Sequence, residues 1–231
     1  MVSVTDNAAL MMRSWRVNAQ AWIEAVRGGL IASRRLATDD AIVNAAMALK
    51  PGRVLDVGCG EGWLCRTLAA AGVVAVGLDA SPELIAAARH ADRGEYNLAS
   101  YAELANLRPG IGVFPVVICN FSLLEEDVEP VLRHLRQCLE PGGSLLIQTL
   151  HPGSGGEDGN GDGWRVESFA GFEACFTQAM PWYFRSLTSW SALLTSSGFS
   201  IKSFVEPLDP KSGTPLSLLL ECKLSESETG A

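Results

Sequence analysis

From residue 51 onward, unbroken apolar runs and amphipathic stretches take turns along the chain. "RVLDV" (53–57) is rich in branched residues, as in a strand buried on both faces. "GWLCRTLAAAG" has helical spacing and closes on Gly72. "VVAVGL" predicts a second strand, and "SPELIAAARHA" a helix with Ser81 at the N-cap and Pro82 in its first turn. "GEYNL" is a weak third strand, and "VFPVVICNF" a fourth that tolerates Pro115 near its start. "DVEPVLRHLRQCLE" is an amphipathic helix with Asp127 as its cap, and "PGGSLLIQTL" a turn and fifth strand. Such alternation means a parallel sheet covered on both faces. Residues 151–181 break the rhythm: they are rich in glycine and aromatics and show no clear period. "TSWSALLTSSGF" returns to helical spacing. "SIKSFVEPL" and "PLSLLLECK" then predict two strands joined by the short "DPKSGT", hence antiparallel neighbours. Ahead of the sheet, "SWRVNAQAWIEAVRGG" aligns Trp15, Ala19, Trp22, Ile23 and Val26 on one helix face, and "TDDAIVNAAMALK" predicts a second helix capped by Thr38. With no repeat and no linker, residues 1–231 are expected to form one domain: a helical cap (1–50), a core (51–150), a lid-like insertion (151–185) and a terminal helix and hairpin (186–223). The polar tail "SESETGA" is expected to be disordered.

Composition narrows the partners. The formal net charge is −8 and the sequence pI about 4.9, which argues against a partner held by phosphate contacts. No run reaches the roughly 18 apolar residues of a membrane span. The opening "MVSVTDNAALMMRSW" lacks a basic region followed by an apolar run, so the expectation is no signal peptide and a cytoplasmic protein. The six cysteines are scattered without a CxxC pair, as for reduced, mostly buried thiols.

The stretch with the most specific chemistry is "VLDVGCGEGWL" (54–64), which places Gly58, Gly60 and Gly62 between the first strand and the following helix. A tight turn there leaves backbone open to a ligand and aims helix N–H groups at it. A side chain at Gly58 is expected to occupy the ligand's space. Asp79 ends the second strand about 20 residues on, where an acid accepts hydrogen bonds from two ribose hydroxyls. The spacing departs from the dinucleotide pattern GxGxxG, because the third glycine comes two residues after the second and Trp63 follows it. Asp56 stands two residues before the first glycine. A carboxylate there would repel a pyrophosphate and favour a ligand bearing an ammonium or sulfonium.

"VLDVGCGEGWL", "VGLDASPELIAAA" and "LEPGGSLLIQT" resemble the first, second and fifth motifs of the Rossmann-like (class I) S-adenosylmethionine-dependent methyltransferases. The resemblance is close over about residues 38–150 and looser over "SWSALLTSSGFSIKSFVEP". It implies an α/β three-layer sandwich with a seven-strand sheet in the order 3-2-1-4-5-7-6, the last strand antiparallel. It implies S-adenosylmethionine as methyl donor, with S-adenosylhomocysteine as product. Carried over by position, Asp56, Gly58 and Gly60 line the methionine end, Asp79 takes the ribose hydroxyls and Ala80 lies beside the adenine. Ser100 stands where the family often has an aspartate for the adenine amino group. The backbone at Asn120 and Phe121 faces the methionine amine. Pro115 replaces a common aspartate.

Methyl transfer is an in-line displacement that needs alignment and a dry site, and a base if the acceptor is a hydroxyl. His151, at the end of the fifth strand, is a candidate base. Trp164, Phe169, Phe172, Phe176, Trp182, Tyr183, Phe184 and Trp190 suit a lid over a small, partly apolar acceptor. Tyr183 and Arg185 are the polar members able to hold an acceptor hydroxyl or carboxylate. Trp15, Trp22 and Arg34 are candidates for the opposite wall. "DGNGDG" (158–163) matches half of a calcium loop, but Phe169 stands where the bidentate glutamate belongs, so no metal is expected. "CNFS" after the fourth strand lacks the motifs of nucleic-acid amine and cytosine-carbon methylation, and "LLEED" does not frame a loop as in protein-arginine methylation. A small-molecule acceptor is therefore expected. A cofactor binder without activity, and methylation of a macromolecule, remain alternatives. An oxidoreductase is disfavoured by the glycine spacing.

Overall fold

The structure, a computed structural model, describes residues 4–104, 110–154 and 161–225. Asp158 to Asn160 of the calcium-like stretch, and the tail beyond Ser225, lie outside them. The strands are β1 Arg53–Val57, β2 Val74–Asp79, β3 Glu95–Leu98, β4 Phe114–Asn120, β5 Leu139–Thr149, β6 Gly163–Glu167, β7 Met180–Phe184, β8 Phe199–Val205 and β9 Leu218–Leu224. The α-helices, in chain order, are α1 Val4–Val17, α2 Ala19–Arg27, α3 Asp39–Ala48, α4 Trp63–Ala70, α5 Pro82–Ala91, α6 Glu129–Cys138 and α7 Leu187–Ser196.

Seven strands form one sheet in the order β3-β2-β1-β4-β5-β9-β8. β1 to β5 are parallel, and β9 runs antiparallel to both β5 and β8. This is the topology implied by the sequence motifs, once β6 and β7 are recognised as a separate hairpin within the insertion. The period-2 pleat sends successive strand residues to opposite layers. Val54, Val116, Ile118 and Leu146 pack with Ile42, Leu64, Leu68 and Ile85 of α3, α4 and α5. Their neighbours Leu55, Val117, Leu145 and Ile147 pack with Leu132, Leu135, Trp190 and Leu194 of α6 and α7. Burial on both faces explains why these strands read as continuous apolar runs. Among the described residues, no helix is long and apolar enough to cross a membrane.

Local signals explain the element boundaries. Ser81 accepts a hydrogen bond from the Leu84 N–H at 3.2 Å and Pro82 opens α5, as expected. Four readings are corrected. Asp127 does not cap α6: the N-cap position is Val128, and no side chain caps this end. The N-terminal helix is broken at Asn18, whose side chain turns to partners in the insertion. Thr38 is not a cap: a π-turn, Arg34–Thr38, runs straight into α3, and Thr38 is buried in helical conformation with its carbonyl accepting from Gln148 Nε2 at 3.0 Å. The insertion is not structureless. β6 and β7 pair antiparallel from Gly163↔Phe184 to Glu167↔Met180, and β7 packs on α1. Both hairpin strands are short and mostly half-buried on each side, so no clean alternation marks them.

Candidate cofactor and acceptor site

The order of strands reverses at β1, with β2 on one side and β4 on the other. In open parallel sheets this crevice, at the carboxyl ends of the strands, is where ligands bind. Here it holds a cavity of about 520 Å³ with two chemically distinct ends. One end is built from the glycine turn, Asp79 to Ser81, Ala99 to Tyr101 and Asn120 to Ser122. The other is built from Met11, Trp15 and Trp22 of α1 and α2, and from Phe169, Phe172 and Trp182 of the insertion.

At the first end, Asp79 organises the turn. Its Oδ2 accepts from Gly60 N–H and its Oδ1 from Ser81 N–H, both at 2.8 Å. Burial pushes this carboxyl above its ordinary value, and the backbone N–H groups of Ser81, Gly60 and Ala80 pull against that. Asp79 lines the cavity as well, and a carboxylate has more acceptor capacity than these N–H groups use. The glycines are bare for different reasons. Gly58 has φ +79°, and a Cβ there would fall 2.3 Å from the Ser122 Cβ, so this glycine lets the turn pack against the end of β4. A side chain at Gly58, expected from the sequence to occupy the ligand's space, would first meet Ser122. Gly60, at φ +57°, has no heavy atom within 4 Å of the position a Cβ would take. It therefore forms a cradle open to the cavity, and this end fits a nucleoside-bearing cofactor. Glu61, within the same turn, is no ligand group. It is 3% exposed and held by Arg27 at 2.6 Å and by Arg66 at 2.6 and 2.7 Å. Since Arg27 ends α2, this buried carboxylate ties the N-terminal helices to the glycine turn.

Ala80, Ser100, Asn120 and Phe121 all line the cavity, as do Gly58, Gly60 and Asp79. Ser100 caps a 3-10 turn with Glu103, its hydroxyl donating to Glu103 Oε2 at 2.8 Å. Asn120 Oδ1 accepts from Gln148 Nε2 at 3.0 Å. Phe121 sits at φ +52° and Phe169 at φ +60°, both unusual for bulky residues. One such outlier stands at each end of the cavity, where packing overrides local preference. Asp56 does not line the cavity. It lies beneath the turn, 1% exposed, with Cys65 Sγ 3.5 Å from Oδ2 and Oδ1 without a partner among the described residues. Burial raises its pKa to about 7, against the Cys65 hydrogen bond.

The three residues expected to act on the acceptor stand elsewhere. His151 Nε2 lies 2.7 Å from Glu206 Oε1 and its Nδ1 accepts from Gly153 N–H at 2.9 Å, which pins the end of β5 to the end of β8. Tyr183 packs edge-on to Trp164. Arg185 is buried, stacks near Tyr183 and Trp190, and donates to the carbonyls of Glu125 and Glu126. None of the three lines the cavity: His151 is held at Glu206, Tyr183 alternates with the cavity-lining Met180 and Trp182 of β7, and Arg185 reaches the loop after β4, whose Leu124 carbonyl also accepts from Tyr183 N–H at 2.8 Å. The sequence reading also passed over several residues. Tyr101, half-buried and donating to Ser122 O at 2.6 Å, lines the polar end of the cavity. Glu125 and Glu167 line the apolar end. Asn18 Nδ2 donates to Gln178 O at 2.7 Å, and its Oδ1 accepts from the N–H groups of Thr177 and Gln178. A polar residue between Trp15 and Trp22 on the apolar helix face was the available signal for Asn18. Trp22 then joins both walls: it stacks on Trp15 at 5.1 Å and meets Phe169, Phe172 and Phe176 edge-on. Among the described residues, no group of three His, Cys, Asp or Glu side chains is placed to hold a metal ion.

Residues 31–203 match the family model described as a methyltransferase domain. The chain belongs to this methyltransferase family. Among curated relatives, the ubiquinone biosynthesis O-methyltransferases of Xanthomonas campestris pv. campestris and Xanthomonas oryzae pv. oryzae are 36% and 34% identical to it over 116 residues. That span is 47% of this chain and 47% of theirs, so the chain spans about half the length of the curated relatives it matches. A solved 1,6-didemethyltoxoflavin-N1-methyltransferase from Burkholderia thailandensis, bound to 1,6-didemethyltoxoflavin and S-adenosylhomocysteine, superposes with a TM-score of 0.66 at 18% identity. It covers 98% of this chain and 92% of its own. An S-adenosylmethionine-dependent methyltransferase from Clostridium acetobutylicum gives a TM-score of 0.64 at 14% identity, over 90% of this chain and 98% of its own. At these identities the likeness to the solved structures is one of fold. The methyltransferase domain matched by the family model takes in the glycine turn, Asp79 and the carboxyl ends of β1, β2 and β4.

Proposed function

We propose that this protein transfers a methyl group from S-adenosylmethionine to a small, largely apolar acceptor. The observation that carries the reading is one continuous cavity, whose polar end carries Asp79 and the open cradle at Gly60 and whose other end is walled by tryptophan, phenylalanine and methionine. In this reading Asp79 holds the ribose hydroxyls, Ala80 and Ser100 flank the adenine, and Gly58 and Gly60 shape the turn beside the methionine end. The carbonyls at Asn120 and Phe121 receive the methionine amine, and Asp56 acts from beneath the turn. When bound, S-adenosylmethionine supplies an electrophilic methyl on a cationic sulfur. The chain's own part is to align the acceptor and exclude water, which the joined aromatic walls suit. His151, Tyr183 and Arg185 serve as braces at the site's edge, with Arg185 holding the loop after β4. Residues 1–50 and 151–185 together close the core, 51–150, and the insertion opens to admit the acceptor. An acidic chain of net charge −8 supports a small molecule over nucleic acid, and six free thiols support a cytoplasmic setting.

Ligand-dependent thermal stability tests the cofactor assignment. S-adenosylhomocysteine should raise the melting temperature and NAD should not; the reverse result defeats the reading. A panel of acceptors with methyl-labelled donor then tests turnover, and cofactor binding without transfer to any acceptor would make the protein a binder.

A further inference from the structure

The apolar end of the cavity carries two carboxylates, Glu125 on the loop after β4 and Glu167 at the end of β6. Neither is ion-paired among the described residues. Glu167 Oε1 accepts from Phe169 N–H at 2.6 Å, which fixes its place in the wall. Glu125 is half-buried on its loop and, like Tyr101, lines the cavity; burial above all holds the Tyr101 phenol in its neutral form, and the Glu125 charge adds to it. Arg34 is the one Lys or Arg among the described residues that lines the cavity, and it is committed: its Nε donates to Asp39 at 2.8 Å and its guanidinium lies 4.4 Å from the Trp63 ring centroid. The third lining carboxylate on this side, Glu61, is neutralised by Arg27 and Arg66.

Resting on the methyl-transfer reading above, we infer that the acceptor is an amine on an aromatic or aliphatic body, held as its ammonium by Glu125 and Glu167 against the faces of Trp15, Trp22 and Trp182. An anionic acceptor would meet two like charges and no free cation in that end. A neutral alcohol has one O–H to donate, so it could meet only one of the two carboxylates and would offset the charge of neither. An ammonium satisfies both and is also attracted by tryptophan faces. The chemistry of transfer then needs one proton moved. The N–H bond of the ammonium breaks, its electron pair stays on nitrogen, and the proton passes to the Glu125 carboxylate. The freed pair is what the acceptor offers to the methyl group. Burial, with the nearby charge of Asp127, raises the Glu125 pKa from its ordinary value, the direction that suits it to take a proton.

Calorimetric titration of the full chain with 2-phenylethylamine, 2-phenylethanol and phenylacetate tests this, with and without S-adenosylhomocysteine. The three probes share a body and differ in the charge of the head group. The amine should bind at least tenfold more tightly than phenylacetate and measurably more tightly than the alcohol. The double variant Glu125→Gln, Glu167→Gln should lose that ranking, and the single variant Glu125→Gln should lose part of it. Unchanged S-adenosylhomocysteine affinity would show that the variants are folded. A cavity that takes none of the probes, that ranks the alcohol or acid level with the amine, or that keeps its amine preference in the double variant overturns the inference. The S-adenosylhomocysteine titration is a separate readout. Its failure would remove the methyl-transfer reading, whereas normal cofactor binding without amine preference would remove only the amine.

Discussion

At the scale of single residues, the glycine turn separates two jobs that the spacing alone could not. Gly58 is bare because Ser122 is there, and Gly60 is bare because nothing is. Gly58→Ala should therefore act on stability. It combines a left-handed backbone with a 2.3 Å approach to Ser122, at a cost of roughly 2–4 kcal/mol. Gly60→Ala meets no protein atom and should cost about 1–2 kcal/mol from its φ alone, while lowering S-adenosylhomocysteine affinity tenfold or more. Denaturant melts and calorimetry on both variants check this. A Gly58 variant that keeps its stability but loses the ligand would reverse the assignment. Asp79→Ala should weaken S-adenosylhomocysteine binding by roughly 1.5–3 kcal/mol, the size of a lost charge-assisted hydrogen bond; unchanged affinity in a folded variant would take Asp79 out of the site. Asp79 was legible from sequence because strand pattern and motif spacing both fix its place. Glu61 was not. Its partners Arg27 and Arg66 lie 34 and 5 residues away, and only the fold brings them together.

Among the elements, the parallel strands and their helices were legible because burial on both faces leaves long apolar runs. The elements that failed to show were those whose stability comes from elsewhere. The β6–β7 hairpin has little apolar alternation of its own. It is held by α1, by Leu124 O on Tyr183 N–H and by Arg185 on the loop after β4. His151 was chosen for standing at a strand end, and Tyr183 and Arg185 for being the polar members of an aromatic segment, but without the β7 register the sequence does not tell that Met180 and Trp182 take the cavity side while Tyr183 between them does not. The break between α1 and α2 has the same origin, since Asn18 bonds residues some 160 positions away. Asn18→Ala would leave the N–H groups of Thr177 and Gln178 and the Gln178 carbonyl without that partner, and should destabilise the protein by roughly 2–3 kcal/mol. Because the clamp joins only the cap and the insertion, S-adenosylhomocysteine affinity should change less than twofold. Faster hydrogen exchange in residues 163–184 and in α1, with the glycine turn unaffected, is the expected signature. Uniform loss of protection across β1, β2 and β4 would instead make the clamp part of the core.

For the whole molecule, the sheet brings two acids to one end, Asp79 at the cavity and Asp56 beneath the turn, in a chain already carrying net charge −8. The consequence is a stability that depends on pH in the unusual direction. In the unfolded chain Asp56 titrates near 3.8, and in the folded protein burial raises its pKa to about 7. Between these values the native state holds a proton that the unfolded chain releases, so the unfolded state binds fewer protons and raising the pH favours unfolding. The stability attached to the protonated acid is fully present below about pH 4 and is lost as the pH rises through about 7. Asp79 and Glu125, also raised by burial, act in the same sense, whereas Asp209 and Glu103, lowered by hydrogen bonds from their neighbours, matter only at more acid pH. Asp56→Asn keeps the shape and an oxygen for Cys65 but removes the titration. Urea melts of both proteins from pH 4.5 to 8 should therefore diverge. The variant should gain on the wild type by roughly 2–4 kcal/mol across that range, the linkage expected from a shift of this size. Curves that run parallel would mean that Asp56 stays ionised in the folded protein. Its charge would then have to be balanced beneath the turn, with Arg34, the cation whose field already reaches it, as the group to examine.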